Sequence, residues 1–267
     1  MTESLPQEFE TALRRTADRR GVFGESLYYF SEVASTNDEA ARLAEAGADE
    51  GTTVVASAQT AGRGRLGRTW FSPPGAGLYV SVIVRDRRAA PLLTLAGGVA
   101  VAEAIRGATG LPVEIKWPND IVVDTGLGRR RKLAGILAEA SSGTEGLLYV
   151  ILGFGINLLP VAYPPDIATR ATSLAGELGR SVDAGPVLAE CLAALGERVH
   201  DLASGHRRRV VSRWTELSPS ARGARVRCEA GSGSITGVTA GIAEDGALLV
   251  RAGARVEPVR SGQVRWL

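Results

Sequence analysis

The sequence predicts an α+β protein: a mixed central sheet with flanking helices, followed by a small C-terminal β-barrel. Three observations lead there. Short β-branched runs alternate with longer stretches whose apolar residues recur at helical spacing. The texture changes at Pro219, beyond which glycine punctuates short apolar runs such as ARVRCEA, ITGVTAGI, GALLVRA, RVEPV and GQVRWL. The length of 267 residues suits one substantial domain plus a small one. The expected division is therefore 1–219 and 220–267.

Taken in order, residues 5–20 carry Leu5, Phe9 and Leu13 at helical spacing and predict a leading helix. Residues 27–33 read as a strand, and STNDEAARLAEAG (35–47) as a helix stopped by Gly47. Thr36 and Glu39 have the spacing of a capping box at its start. Residues 52–58 are β-branched and apolar, the pattern of a buried strand, and GLYVSVIVR (77–85) is another. Small apolar residues over 92–109 suit a tightly packed helix. Residues 112–117, 132–140 and 147–158 complete a sheet of five or six strands. GLGRRRK (126–132) reads as a loop between strands. Helices follow over 184–203 and 207–217, with His200 and His206 as surface residues, before the five expected barrel strands.

Composition narrows the function. A charged fraction of 22% and a net charge of +2 exclude a general polyanion binder, so any cationic function is local. The N-terminus has no apolar core of a secretory signal, and no apolar run of about 18 residues suggests a membrane span. Cys191 and Cys228 are far apart and form no metal-binding pattern, which points to a reducing, cytoplasmic setting.

The chain has two lysines, Lys116 and Lys132, and three asparagines, Asn37, Asn119 and Asn157. All five fall in short segments at expected strand–loop edges. TAGRGRLGR (60–68) lies among these segments and alternates backbone freedom with forked cationic donors, the chemistry of an anion-binding loop. A solvated loop or an RGG-type nucleic-acid segment has the same composition. No Walker A loop is present. In KWPND (116–120), Pro118 sets a turn that lets Lys116, Asn119 and Asp120 converge, although Asn and Asp are also ordinary turn formers. Gly135 in KLAGILAE and Gly153 and Gly155 in GFGIN thin two strands where a ligand or helix can approach.

Together, STN, QTAGRGRLGRTW, KWPND, KLAGILAE and GFGIN, in this order, resemble the catalytic domain of bacterial biotin–protein ligases. The glycine-rich tail is similar to that family's SH3-like C-terminal domain. The resemblance spans about 25–267 and implies a class II aminoacyl-tRNA-synthetase-like (biotin–lipoate ligase) catalytic domain over 1–219. It implies a ligase that joins biotin to ATP as biotinyl-5′-AMP and then transfers biotin to a lysine of a carrier protein. It further implies that Ser35, Thr36, Asn37, Gln59, Gly62, Arg63, Gly64, Arg65, Lys132 and Gly135 hold biotin. Arg65, Arg68, Trp70, Lys116, Asn119, Asp120 and Asn157 are implied at the nucleotide, with Lys132, Arg65 and Lys116 catalytic and Asp120 facing Mg²⁺.

The implied partners are biotin, Mg·ATP and a biotinyl-domain acceptor such as the acetyl-CoA carboxylase carrier subunit, with no membrane, and a monomer or weak homodimer. Leu66 stands where the family commonly has arginine, so a direct phosphate contact there is not expected. About 25 residues precede the first sheet strand, too few for the DNA-binding domain of family members that double as repressors, so no DNA partner is expected. Two rival readings remain. Lipoate ligases and octanoyltransferases share the fold, but their histidine-bearing glycine motif is missing here. A nucleic-acid module is opposed by the lack of interleaved aromatics in the tail, where Trp266 reads as structural.

Overall fold

Residues 3–126, 130–144, 146–230 and 233–267 are described by a computed structural model. The chain opens with helices α1 (Gln7–Arg15) and α2 (Ala17–Arg20), in place of the single helix expected, because Thr16 leaves helical geometry. Next come strand β1 (Leu27–Phe30), helix α3 (Thr36–Glu45), and strands β2 (Thr53–Ala56) and β3 (Gly77–Val84). Helix α4 (Leu93–Thr109) leads to strands β4 (Glu114–Lys116), β5 (Asp120–Asp124), β6 (Arg130–Gly143) and β7 (Gly146–Asn157). Helices α5 (Leu174–Leu178), α6 (Ala184–Ala203) and α7 (Arg207–Glu216) follow. The chain ends with β8 (Arg222–Ala230), β9 (Gly233–Ile242), β10 (Leu248–Ala252), β11 (Arg255–Val259) and β12 (Gln263–Trp266).

The first seven strands form one mixed sheet in the order β1-β2-β3-β7-β6-β5-β4. β1 and β2 run parallel, while every other neighbouring pair is antiparallel. The strand missing from the sequence reading is β5, whose short IVV centre between two aspartates resembles a turn. Residues 127–129 of the expected GLGRRRK loop lie outside the described residues. Arg130 to Lys132 do not belong to a loop, because they begin β6 and pair with β5.

Side-chain alternation along the strands separates two layers. On one face Leu78, Val80, Val82 and Leu152 join α4 and α6 in the main core, together with Phe9, Leu13 and Phe23. Gly97 permits this closeness, since a Cβ there would lie 3.1 Å from Leu152. With its leading turn, residues 90–109, α4 is apolar and long enough to cross a membrane, an exception to the sequence reading. Its window is 72% buried inside the protein, as a core helix is. On the other face, α3 covers Val54, Ile83, Tyr149 and Ile151.

The C-terminal strands make a five-stranded antiparallel sheet ordered β11-β10-β9-β8-β12. The expected barrel does not close: among the described residues no ladder joins β11 to β12. β12 pairs with β8, and its Trp266 lies over Lys116 and Arg130 of the larger sheet instead of reaching β11. Val226, Cys228, Leu248, Val250 and Val264 belong to the same apolar cluster as α4 and α6. The Trp117 indole donates to the Gly246 carbonyl at 3.0 Å, a polar contact between the two sheets.

Candidate functional site

The alternation that builds the core clears a space on the opposite face. Ser81 and Tyr79 of β3, Gly135 and Leu137 of β6, and Gly153 and Gly155 of β7 point toward α3 and the 59–70 loop. A Cβ on Gly153 would collide with the Asn37 side-chain oxygen, Oδ1, and one on Gly155 with the Trp70 indole nitrogen. These glycines are therefore required by close approach.

Two cavities adjoin there. A narrow inner cavity is lined by Ser35, Thr36, Asn37, Gln59, Arg63, Gly64, Arg65, Lys132 and Gly135. Gly62 is absent from its lining. A Cβ there would meet the Trp70 carbonyl oxygen at 2.7 Å, so Gly62 makes room for the loop's own backbone. An outer cleft of about 680 Å³ is lined by Arg65, Arg68, Trp70, Lys116, Asn119, Asp120, Lys132 and Asn157. Gly64, Arg65, Trp70, Asn119 and Lys132 line both and form the wall between them.

The inner cavity is polar and tightly wired. Gln59 accepts from the Thr36 amide at 2.9 Å and from its hydroxyl at 3.1 Å, while its own amide donates to Ser72 at 3.1 Å. The N-cap of α3 is thus Ser35, and Gln59 takes the amide that a capping box would have used. Glu39 pairs with Arg42 at 2.6 Å, so the expected Thr36–Glu39 box does not form. The Ser81 hydroxyl lies 2.8 Å from Thr36 Oγ1 and 2.6 Å from Asn37 Oδ1. The Asn37 amide donates to Glu139 at 2.5 Å.

At the wall, the Lys132 ammonium sits 2.6 Å from Asp120 and 5.0 Å from the centre of the Trp70 ring. Trp70 Nε1 is buried and finds no hydrogen-bond partner among the described residues. Asn119 donates to the Ile136 carbonyl at 2.7 Å, which aims its oxygen at Arg65, 3.4 Å away. Burial lowers the Arg65 pKa, against the pull of Asp120. Asn157 lines the cleft, yet its amide donates to the Thr172 carbonyl at 2.8 Å.

The three loop arginines have different settings. Arg65 alone faces the wall. Arg63 is ion-paired with Asp38 at 2.7 Å and Glu139 at 3.1 Å, and these two hold its pKa above the ordinary arginine value. Arg68 donates to Gln263 of β12 at 2.8 Å. Leu66 projects into solvent with a left-handed φ of 59°.

Several residues in or behind the cavity walls escaped the sequence reading. Ser81 had a signal, as the polar residue in the apolar run of β3. Arg130, Arg170 and Trp266 had none, because they reach the cleft only through tertiary packing. Trp266 lines the cleft mouth, 4.8 Å from the Lys116 ammonium and 4.4 Å from the Arg130 guanidinium.

The profile of the biotin/lipoate A/B protein ligase family matches residues 29–157, the segment that supplies the lining of the inner cavity and part of that of the outer cleft. The biotin–[acetyl-CoA-carboxylase] ligase of Mycobacterium tuberculosis is 31% identical, over 96% of this chain and 94% of its own length. This chain belongs to the biotin–protein ligase family. The bifunctional ligase/repressor BirA of Bacillus subtilis is 33% identical over 91% of this chain and 74% of its length. The biotin protein ligase of Aquifex aeolicus, solved in complex with biotin and ATP, superposes with a TM-score of 0.77 at 31% identity, covering 91% of this ligase and 99% of that chain.

Three outcomes follow from this geometry. In the ligase, Gly155→Ala must displace Trp70 and is expected to cost about 1–3 kcal/mol in urea denaturation. Gly107→Ala, where the added carbon meets open space in α4, is expected instead to gain about 0.5–1 kcal/mol. Lys116 titrates below the ordinary lysine value of 10.5 because burial penalises its charged form. Between the lowered value and 10.5 the unfolded chain holds a proton that the folded chain does not, so stability rises with pH there. Lys116→Met should flatten that rise in urea melts taken at stepped alkaline pH.

Proposed function

We propose that this ligase joins biotin to ATP across the wall between its two cavities, forming biotinyl-5′-AMP, and then passes the biotinyl group to a lysine of a carrier protein. The observation carrying this reading is that Arg65, Trp70, Asn119 and Lys132 line both cavities, so groups bound on either side meet at one ammonium. Biotin's polar ureido end would occupy the Ser35, Thr36, Asn37 and Gln59 pocket, with Gly62, Arg63, Gly64 and Gly135 shaping its walls. Its carboxylate would then emerge at Lys132. The nucleotide would fill the outer cleft among Arg65, Arg68, Trp70, Lys116, Asn119, Asp120 and Asn157.

In the first step a carboxylate oxygen attacks the α-phosphorus, and the bond to the β-phosphate breaks to release pyrophosphate. Both reactants are anions, so the barrier is dominated by their repulsion and by charge growing at phosphorus. Lys132, Arg65 and Lys116 counter that charge from fixed positions, and position supplies most of the remaining rate. In the second step a neutral acceptor amine attacks the acyl carbon, AMP leaves, and the amide forms with loss of a proton. A biotinyl domain of an acetyl-CoA carboxylase carrier subunit is the acceptor that the relatives' names support.

Mg²⁺ fits the outer cleft, since such ions are commonly held through one or two carboxylates together with substrate phosphates. Asp120 and Asp166 are the carboxylates on its walls. No cluster of three or more His, Cys, Asp or Glu suited to a metal occurs among the described residues, so the ion would arrive with the nucleotide. It would neutralise phosphate charge when bound.

The proposal keeps 1–219 as the catalytic unit and 220–267 as a C-terminal unit whose β12 borders the nucleotide cleft. It is confined to ligation: α1 buries Phe9 and Leu13 in the main core, which supports a structural use of the leading helices over DNA binding.

Biotin-dependent exchange of labelled pyrophosphate into ATP tests the first step. Lys132→Ala should slow it about a hundredfold or more, as removal of one preorganised charge does elsewhere, and an unchanged rate would refute the assignment. Arg65→Gly opens the wall, so leaked adenylate should biotinylate bystander lysines of an added protein. Full activity with clean bystanders on a streptavidin blot would exclude that role.

A further inference from the structure

Arg63 lines the inner cavity, yet its guanidinium is taken up by two carboxylates, so the loop of residues 62–68, which covers the cavity as a lid, is tied down at this arginine. Arg63 lies at the base of a closed hairpin: Trp70 donates to the Gly62 carbonyl at 2.9 Å, Gly64 to the Arg68 carbonyl at 2.7 Å, and Arg63 bridges Thr69. Its guanidinium reaches outward to Asp38 on the first turn of α3 and to Glu139 on β6. Holding Arg63 therefore holds the root of the loop that walls the cavity.

Glu139 makes a second contact that Asp38 does not. Alternation along β6 places Gly135, Leu137 and Glu139 on one face, the first two lining the inner cavity and the third just beyond it. There Glu139 Oε2 accepts from both Arg63 Nη2, at 3.1 Å, and Asn37 Nδ2, at 2.5 Å. The other end of the Asn37 amide accepts from Ser81. One carboxylate oxygen thus serves the lid and the cavity's polar wall together, and it sets which end of Asn37 can face a ligand.

We propose that Glu139 is a positioning residue that couples biotin binding to the seating of the lid, with Asp38 as a second anchor acting on the lid alone. This rests on the ligase reading for the identity of the ligand; the latch itself rests on the contacts of Arg63, Asp38, Glu139 and Asn37 with one another. Each anchor is a partly exposed ion pair, so each is worth a modest factor singly. A ligand that engages Asn37 draws on the same carboxylate that holds Arg63, so occupancy is felt at the root of the loop through Glu139, beside whatever the ligand touches on the loop itself.

The test uses Glu139→Gln and Asp38→Asn in the full chain. Without ligand, trypsin cleavage after Arg65 and Arg68, residues neither anchor touches, should quicken about two- to fivefold in each variant, the factor expected for losing one such pair. In pyrophosphate exchange, Glu139→Gln should also raise KM for biotin several-fold with kcat little changed, whereas Asp38→Asn should leave that KM near the wild-type value. Wild-type proteolysis rates in both variants would overturn the latch. A Glu139→Gln enzyme with lowered kcat and unmoved KM, or an Asp38→Asn enzyme with the same KM rise, would overturn the coupling. If the wild-type enzyme catalyses no biotin-dependent exchange, the ligase reading fails, and the ligand-free proteolysis still decides the latch.

Discussion

The site depends on one buried-edge arrangement, the Lys132 ammonium held between the Asp120 carboxylate and the face of Trp70. An ammonium partly withdrawn from water is stabilised by an opposite charge close by. Asp120 answers its charge, and Trp70 gives it a polarisable surface in place of water. Under the ligase reading proposed above, a substrate phosphate or carboxylate would compete with Asp120 for the same ammonium.

That arrangement explains several otherwise separate features. Lys132 stands at the start of β6 with Asp120 at the start of β5, and the ladder between these strands fixes their separation. Trp70 can lie flat against the sheet only because Gly135 and Gly155 carry no side chain. A methyl group at either position would push the indole outward and take the wall between the two cavities with it. The thinness of the sheet here is thus a requirement of the site, although strands elsewhere in this sheet are filled with Val, Leu and Ile.

The arginine-rich loop illustrates how composition and role diverge. Three arginines within six residues look like a single anionic grip. Tertiary contacts give them separate partners: one pairs with carboxylates of α3 and β6, one faces the wall, and one ties the loop to the last strand of the chain. Charge density along a loop measures what it could bind, while the carboxylates and amides around it decide which cations remain free to do so. The C-terminal sheet enters the site through the same logic, with Trp266 packed over Lys116 and Arg130.

Much of this was legible in the sequence, for physical reasons. Hydrophobic periodicity is local, so most helices and strands could be read directly, and the rarity of lysine and asparagine drew attention to segments that line the two cavities. The resemblance of those segments to a ligase family supplied the chemistry. Elements that depend on distant partners could not be read. β5 is too short to show a period, closure of the C-terminal strands depends on whether β12 turns toward β11 or toward the larger sheet, and the capping of α3 depends on Gln59 arriving from another loop. Glu139 was visible only as the last letter of KLAGILAE. Its use appears when the pleat of β6 sets it beside Asn37 and Arg63, residues 102 and 76 positions away in sequence, respectively. Local chemistry is written in the chain, but which charges neutralise one another is decided by packing, because Coulomb and hydrogen-bond energies depend on distances that only the folded chain defines.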